Sequence, residues 1–535
     1  MGPALAKTAG RPRVAALAVA LAPYLIALWF GVWSLRGLES GTPVDTDAAR
    51  HAMNGVFFHD LVRHGDPLHL VAFAKSYYSR YPSLSMPYHP PLFPAVEALF
   101  FFGLGVNFFA ARVTIALATA ITGWLMYHLA LRTHASHAVA AASTVLFLSL
   151  PSSLILSSDV MLEMPTLTLA LAAMLLLPGL GGAWSLRRGM AYALVAAAAV
   201  WSKQNVVFLG LVPFAYAALE GRWRAFKSAA LWVPACVFGV LVVALAWLAV
   251  LFGVAGNGNW PPFSPIPILS HNVPYYADVM RSEFGTAGLA LVVIAVGVTL
   301  VGLRRGGGAR ASAPYLAWIA CVFAVAFLMP PYDSRYVFFA YPALAIVVSS
   351  VLLGAGRKLF PERLAWLAPA ALAALGFAAH IATPPAFVKG PAEAAKLIAA
   401  AQPDRVLYCG RSNGNFIFAL RALDPELRTA IIRGDKLPLN LFAPAAFEKF
   451  AHDYGVQYIV LERSIVPRPW YALLEPAPRH SAFLVELPLA SSDRMMNGSL
   501  QVFRFLDPSR TPESTLQLRA LGVAINGELP TEQAR

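Results

Sequence analysis

The sequence predicts a polytopic α-helical membrane protein that ends in a small soluble α/β domain. Hydrophobic residues make up 58% of its 535 residues and charged residues only 13%, which is more apolar surface than a soluble fold of this length buries. Apolar runs close to the length of a membrane span recur as far as residue 382, and basic residues gather in the short loops between them.

The N-terminal segment places Lys7, Arg11 and Arg13 before an apolar run at residues 14–35. This order is similar to that of a secretory signal peptide. The run is roughly 20 residues long, however, which exceeds a signal-peptide core, and it has no clear small-residue cleavage site. We therefore expect an uncleaved first transmembrane helix.

The apolar runs that are candidates for membrane spans cover residues 14–35, 108–131, 138–156, 165–180, 190–201, 206–219, 229–252, 286–303, 315–329, 336–353 and 364–382. At ~20 residues per crossing they predict about eleven transmembrane helices, with about thirteen as the upper count. If the N-terminus is cytoplasmic, the cytoplasmic loops are residues 132–137, 186–189, 221–227, 304–310 and 357–363. Each of these loops carries Lys or Arg, which is typical of cytoplasmic loops.

Two segments decide which loops face outward. The apolar run at residues 92–104 is short for a span, and the run from 190 to 219 is broken only by residues 202–205. We interpret the first as a helix lying along the membrane interface and the second as two short or tilted helices joined by a turn. These interpretations keep the basic loops in the cytoplasm.

This topology predicts a membrane domain at residues 1–382, with a large first outer loop at 36–107. Residues 383–535 form the predicted soluble domain on the outer face, with strands at 405–409, 429–433, 457–461 and 500–505 and helices at 415–423 and 444–454. Cys236, Cys321 and Cys409 have neither metal-ligand nor redox spacing.

The first outer loop begins with a group of acids near the end of the first helix. Asp47 and Arg50 are three residues apart, so on a helix they share a face, and one interpretation is a helix cap with an ion pair. The other is a carboxylate that meets a lipid headgroup. Asp45 and Asp47 together also have the spacing of a divalent-metal site, a pattern that is common by chance.

Two further outer segments carry polar residues. Tyr88 and His89 precede two prolines at the start of the expected interfacial helix, where His89 is able to donate a hydrogen bond to phosphate or belongs to an ordinary proline turn. Asp159 and Glu163 lie four residues apart where an apolar run begins. Acids at a lipid boundary are costly, which favours a functional role over helix capping, above all for Glu163.

Two cations occur in loops expected on the outer side, although Lys and Arg are usually concentrated in cytoplasmic loops. Lys203 lies in the break at residues 202–205, and Arg335 precedes Tyr336. Such cations need anionic partners, which are either neighbouring acids such as Asp333 or an anionic substrate. We therefore expect acids and cations from loops far apart in sequence to lie on the same face of the membrane.

The order of these parts resembles the GT-C glycosyltransferases, in particular bacterial relatives of the protein O-mannosyltransferases and of the lipid A aminoarabinose transferase. The resemblance covers residues 14–382. It rests on Asp47 with Arg50, on Tyr-His-Pro-Pro-Leu at 88–92, on Asp159, on Lys203 and on Arg335-Tyr336 followed by Tyr341-Pro342. The chain departs from the family at Ala48, where relatives often carry Glu, and at His89, where many carry Lys.

The resemblance implies GT-C architecture and transfer of one sugar from a polyprenyl-phosphate donor to an acceptor hydroxyl at the outer face of the cytoplasmic membrane. Asp47 is the expected general base, with inversion at the anomeric carbon. Lys203, Arg335, His89 and Tyr336 are expected to bind the donor phosphate. Asp159, Glu163, Arg50 and Tyr88 are expected to position the substrates.

The expected partners are the donor, membrane lipids and a lipid, glycan or protein acceptor, with no nucleic acid. No firm cofactor is predicted, and a divalent metal is not favoured. A lipid-linked glycan transporter or flippase is the alternative from another class, although it would place ionisable residues near the middle of helices. An oligosaccharide ligase is the alternative that moves whole glycans.

Overall fold

The computed structural model describes residues 11–37, 41–43, 46–86, 88–180, 184–251, 265–305, 308–329, 332–384, 387–410, 412–437, 444–462, 483–489 and 500–506. The α-helices of the N-terminal segment and of the first loop are α1 (Arg11–Trp33), α2 (Thr46–His64), α3 (Leu70–Arg80) and α4 (Leu92–Leu104). The helices that follow are α5 (Phe108–His134), α6 (His137–Leu148), α7 (Pro151–Ser158), α8 (Glu163–Leu176), α9 (Leu186–Ser202), α10 (Val212–Leu219), α11 (Ala229–Leu251), α12 (Pro265–Arg304), α13 (Ala313–Leu328), α14 (Tyr341–Leu359) and α15 (Leu367–Ala382).

The chain is a multi-pass membrane protein. Among the described residues, six helical segments are long and apolar enough to cross a membrane, or seven if the pair α6 and α7, which bends by 67°, forms one span. They are Phe108–His134, Ala229–Val250, Ile266–Arg304, Arg310–Leu328, Ser334–Leu359 and Glu362–Ala382. The predicted count of about eleven is not confirmed, because α8, α9 and α10 are shorter than the ~20 residues that a perpendicular span requires.

Local sequence explains where several helices begin and end. Asn107 caps α5 by accepting a hydrogen bond from the Ala110 amide at 2.8 Å. Gly105, at a φ of 78°, ends α4, a conformation that favours glycine. The expected break after α9 is present: Lys203 is extended, and a 3-10 helix at Gln204–Gly210 follows it.

The C-terminal segments form a five-stranded sheet. Its strands are β3 (Arg405–Cys409), β4 (Ala430–Arg433), β5 (Tyr458–Glu462), β6 (Leu484–Leu487) and β7 (Leu500–Phe505), in the order β4-β3-β5-β7-β6. The first three are parallel, and β7 and β6 join antiparallel. The helices of this region are α16 (Pro391–Ala399), α17 (Asn413–Leu423) and α18 (Pro444–Asp453).

All four strands expected from the sequence are present, whereas β6 was not predicted. This strand forms the edge of the sheet, and Val485 and Glu486 at its centre are exposed. The strand was not predicted because it is short and partly exposed, so its sequence lacks the apolar run by which the buried strands β3 and β5 are recognised.

The C-terminal region packs closely on the first loop (residues 36–107) and on the start of α5. Strand β1 (Thr42–Pro43) pairs antiparallel with β2 (Phe387–Val388), and the rings of Phe108 and Phe418 lie 4.1 Å apart. Helix α17 packs against α2, the helix that begins beside Asp47. The membrane helices, the first loop and α17 thus share one continuous apolar core.

Candidate active site

A cavity of about 850 Å³ opens between the first loop (residues 36–107), the break after α9, helix α11 and the segment before α14. This volume lies within the usual range of ligand sites, roughly 300–1,000 Å³. Seven of the nine site residues expected from the sequence line it. They are Asp47, Arg50, Tyr88, His89, Lys203, Arg335 and Tyr336.

Asp47 lies in the first turn of α2, where the positive end of the helix dipole favours a carboxylate. Its Oδ1 accepts a hydrogen bond from Arg50 Nη1 at 3.2 Å, the ion pair expected from their spacing. Its Oδ2 lies 3.6 Å from Arg335 Nη2. The two guanidinium groups therefore orient the carboxylate. The Asp47 side chain is nevertheless 31% exposed and lines the cavity.

Arg335 is held by the turn in which it lies. Asp333 caps the 3-10 helix at Ser334–Ala340 by accepting from the Arg335 amide at 2.8 Å, and it also accepts from Arg335 Nη2 at 2.7 Å. A further contact joins Arg335 Nε to Glu163 Oε1 at 3.8 Å. One arginine therefore touches three carboxylates, those of Asp333, Glu163 and Asp47.

Lys203 pairs with Glu163 across the wall of the cavity. The Lys203 ammonium donates a hydrogen bond to Glu163 Oε1, and the Glu163 side chain is fully buried. Glu163 lies in the first turn of α8, whereas Lys203 lies in the extended break after α9. Glu163 does not line the cavity, so its contact with any substrate would pass through Lys203 and Arg335.

The carboxylates and cations of this site balance in charge. Asp47, Glu163 and Asp333 contribute three negative charges, and the three positive charges come from Arg50, Lys203 and Arg335. An anionic ligand would therefore compete with carboxylates for the cations, which favours a ligand that makes several charge-assisted hydrogen bonds at once.

His89 enters the cavity beside a second histidine that the sequence did not single out. The rings of His51 and His89 meet edge to face at 4.7 Å, and His51 is almost completely buried in α2. Burial lowers the pKa of both rings well below the usual value, and the charges of Lys203 and Arg335 lower the two pKa values further. Both histidines are therefore neutral at physiological pH.

Hydrogen bonds fix the loop that carries Tyr88 and His89. Asn54 of α2 donates to Ser85 Oγ at 2.7 Å and accepts from the Ser85 amide at 3.0 Å. Gln204 donates to the Tyr88 carbonyl at 3.3 Å. The loop is thus tied both to the helix of Asp47 and to the break that holds Lys203.

Asp159 does not line this cavity. It is buried at the end of α7 and interacts electrostatically with Arg112 of α5, which donates to the carbonyls of Ser34 and Arg36. Any effect of Asp159 on a substrate would therefore be indirect. Asp45 lies outside the described residues, and the part of the chain that the structure describes contains no cluster of three or more metal-ligating side chains.

Sequence analysis missed two further features of the cavity. Asn205 is buried at its wall, and neither polar atom of its side chain has a hydrogen-bond partner among the described residues. Its place in the polar break after α9 was the available signal. One side of the cavity is apolar and is formed by Val242, Leu245, Ala246 and Ala249 of α11. The sequence of α11 is like that of any lipid-facing helix, so it gave no signal that this helix borders a cavity.

Comparisons with known proteins agree with this architecture. Residues 88–247 match the family model described as dolichyl-phosphate-mannose-protein mannosyltransferase. ArnT from Cupriavidus metallidurans bound to undecaprenyl phosphate is similar in structure, with a TM-score of 0.57 and 16% identity over 92% of this chain and 98% of that chain. The chain has the GT-C fold. The superfamily resemblance predicted from the sequence is confirmed.

Two further structures share the GT-C fold with this chain. Apo ArnT from the same organism has a TM-score of 0.58 and 16% identity over 91% of this chain and 98% of that chain. An Archaeoglobus fulgidus oligosaccharyltransferase in complex with Zn and sulfate has a TM-score of 0.52 and 14% identity, covering 91% and 73%. No curated protein gave a sequence match. In this GT-C chain, the matched family range includes Lys203 but neither Asp47 nor Arg335.

Proposed function

We propose that this GT-C chain transfers a single sugar from a polyprenyl-phosphate donor to an acceptor hydroxyl at the outer face of the cytoplasmic membrane. The observation that supports the proposal most directly is the position of Asp47. A partly exposed carboxylate there faces a cavity that also holds Lys203 and Arg335 and has an apolar wall on α11. The undecaprenyl phosphate bound to ArnT is a ligand of this proposed class.

In the proposed reaction, Asp47 accepts the proton of the acceptor hydroxyl as that oxygen attacks the anomeric carbon. The bond from the anomeric carbon to the phosphate oxygen breaks on the opposite side, so the anomeric configuration inverts. The phosphate leaves with the bonding electron pair, which requires stabilisation of its charge and no general acid. Arg50 and Arg335 orient the Asp47 carboxylate for this step.

Lys203 and Arg335 are proposed to bind the donor phosphate. In the structure, Lys203 pairs with Glu163 and Arg335 pairs with Asp333. A bound phosphate would contact both cations while these ion pairs remain. His89 would donate an uncharged hydrogen bond, and Tyr336 and Tyr88 would border the sugar. Val242 and Leu245 of α11 offer the prenyl chain an apolar surface that continues from the polar end of the cavity.

Purified protein incubated with undecaprenyl-phosphate-linked sugars and candidate acceptors tests this function. We expect one sugar on the product, release of undecaprenyl phosphate and an inverted anomeric centre by NMR. Transfer of an intact oligosaccharide would instead support the ligase alternative. Movement of the donor across a liposome membrane without transfer would support the flippase alternative.

Removing the charge of Lys203 is expected to weaken donor binding by about tenfold to a hundredfold, as for the loss of a charge-assisted hydrogen bond. Lys203→Met alone leaves Glu163 buried, with Arg335 as its remaining cation, which adds a structural cost. The informative variant is therefore Lys203→Met combined with Glu163→Gln. Donor affinity is measured by isothermal titration in detergent. An affinity equal to that of the wild type would refute the phosphate role of Lys203.

The neutral state of His89 predicts how donor binding depends on pH. Because its pKa is lowered well below the usual value, His89 gains a proton only at pH values below its ordinary range. His89→Gln should therefore weaken donor binding by a similar factor at every pH between about 6.5 and 8. A loss of affinity that grows toward the acidic end of this window would show that His89 binds as a cation.

A further inference from the structure

A second cavity, of about 370 Å³, lies between α6, α7, α12, α14 and α15, and among the described residues it shares no lining residue with the cavity of Asp47. Its walls are mostly apolar and include Leu146, Leu291 and Leu372. Helices α12 and α15 are largely exposed on the outside of the protein, so this cavity lies next to the hydrocarbon of the membrane.

One end of this cavity is polar. Ser149 and His380 both line it and are more than nine-tenths buried. The Ser149 hydroxyl and both ring nitrogens of His380 have no hydrogen-bond partner among the described residues. Buried polar groups in proteins normally have hydrogen-bond partners, and a buried group without one destabilises the fold. These groups point to a ligand that supplies hydrogen bonds at this end.

The polar end lies beside the end of α1, where we expect the membrane surface because this apolar helix ends there. Thr383, which also lines the cavity, accepts a hydrogen bond through its carbonyl from Arg36, just beyond the end of α1. His380 packs on Phe30 and Trp33 of the same helix end. A ligand with its polar group here would extend its apolar part along the hydrocarbon depth of the membrane.

Two charged side chains lie near this end: Arg36 contacts the Thr383 carbonyl, and the acid Glu283 is the one that lines the cavity among the described residues. Glu283 of α12 lines the cavity, and its carboxylate is oriented by hydrogen bonds from the Ser152 amide at 3.0 Å and the Ser152 hydroxyl. No Lys or Arg is among the described residues that line the cavity. This charge favours a ligand with an ammonium group over an anionic one.

We propose that this cavity binds one acyl chain of a membrane phospholipid with an amine headgroup, of the phosphatidylethanolamine type. The chain occupies the apolar walls, and an ester oxygen accepts hydrogen bonds from Ser149 and His380. The ammonium group interacts with Glu283. This site is separate from the proposed donor cavity and does not depend on the proposed reaction.

Glycine at position 376 allows the site to be blocked. A Cβ at Gly376 would meet Leu146 and Ser149 at 3.6 Å, an ordinary contact distance, so Gly376→Ala is tolerated and Gly376→Leu projects into the cavity. Gly297 of α12 has no atom within 4 Å of its Cβ position among the described residues, so Gly297→Leu is a matched control.

Binding is tested by photolabelling of the full-length protein in detergent with phosphatidylethanolamine that carries a diazirine in one acyl chain, followed by peptide mass spectrometry. We expect labelling of α7 and α15 that falls about tenfold in Gly376→Leu, falls less in Gly376→Ala and is unchanged in Gly297→Leu. Equal labelling of the wild type and a folded Gly376→Leu variant would overturn the proposal.

The headgroup assignment has its own test. Phosphatidylglycerol with the same photoreactive chain should label these helices about tenfold less, and Glu283→Gln should remove that preference. Equal labelling of the wild type by both lipids would overturn the amine assignment. Stronger labelling there by a photoreactive undecaprenyl phosphate would overturn the phospholipid assignment. An unchanged melting temperature shows that each variant remains folded.

Discussion

Asp47→Asn is expected to reduce sugar transfer by about 10²–10⁴-fold, the usual contribution of a general base. The asparagine keeps the shape of the side chain but does not accept the acceptor proton at neutral pH. Arg335 keeps its contacts with Asp333 and Glu163, so the donor site should survive the change. The measurement is single-turnover transfer by the purified variant, together with donor affinity, which should stay within a few-fold of the wild-type value.

Asp66→Asn is the matched control for this experiment. Asp66 belongs to the same outer loop, is exposed and caps a 3-10 turn through the Leu68 amide. Its substitution should leave transfer unchanged. If Asp47→Asn turned over at a rate close to that of the wild type, Asp47 would not be the base. If donor affinity fell together with transfer, its role would be in binding.

Arg421→Met is expected to lower the free energy of unfolding by about 3–5 kcal/mol, the usual cost of breaking a buried ion pair. Arg421 of α17 donates through Nε to Asp60 Oδ2 of α2 at 2.7 Å and through Nη2 to Oδ1, and both side chains are almost fully buried. Without Arg421, a buried carboxylate remains, and the described side chains that still bond to it are those of Tyr77 and His59. Denaturant titration in detergent measures the effect.

The lowered pKa of Asp60 supports the expected loss of stability in Arg421→Met. Burial alone would raise the pKa of Asp60, but hydrogen bonds from His59 and Arg421 and the charge of Arg421 lower it below the usual value. A carboxyl with a lowered pKa in the folded state stabilises the fold above its unfolded pKa of about 3.9, and this contribution is lost as the pH falls. The destabilisation by Arg421→Met should therefore be largest at neutral pH.

Two further variants separate the ion pair from general damage to the domain. Asp60→Asn combined with Arg421→Met removes both charges, and it should be more stable than Arg421→Met alone. Arg428→Met replaces an exposed arginine of the same region and should change stability by less than about 0.5 kcal/mol. Equal stability of the single and double variants would show that the unpaired charge of Asp60 is not the cause of the loss.

The two predictions concern one helix. Asp47 lies in the first turn of α2 and Asp60 near its end, so at 1.5 Å per residue about 20 Å of helix separates the proposed base from the contact with α17. The C-terminal sheet region therefore contacts the helix that carries Asp47. The soluble region predicted from composition is thus part of the scaffold of the site.

Sequence patterns were sufficient to predict features that depend on neighbouring residues. The Asp47 and Arg50 pair follows from a spacing of three on a helix, and the break at Lys203 follows from polar residues between apolar runs. Strands β3 and β5 follow from short apolar runs. The number of membrane spans was harder to predict, because hydrophobicity alone does not separate a span from a short buried helix such as α8.

The amino-acid sequence by itself determined that this protein lies in a membrane, which polar and charged residues interrupt its apolar runs, and that its fold resembles GT-C. Only the tertiary structure decided which charges meet. Glu163 pairs with Lys203 across 40 positions of sequence and Asp60 with Arg421 across 361, and Asp159 interacts electrostatically with Arg112 and does not line the cavity. The physical reason is that a buried charge is costly unless a group of opposite charge lies beside it, and the packing of helices determines which group that is. A local sequence pattern does not contain this information.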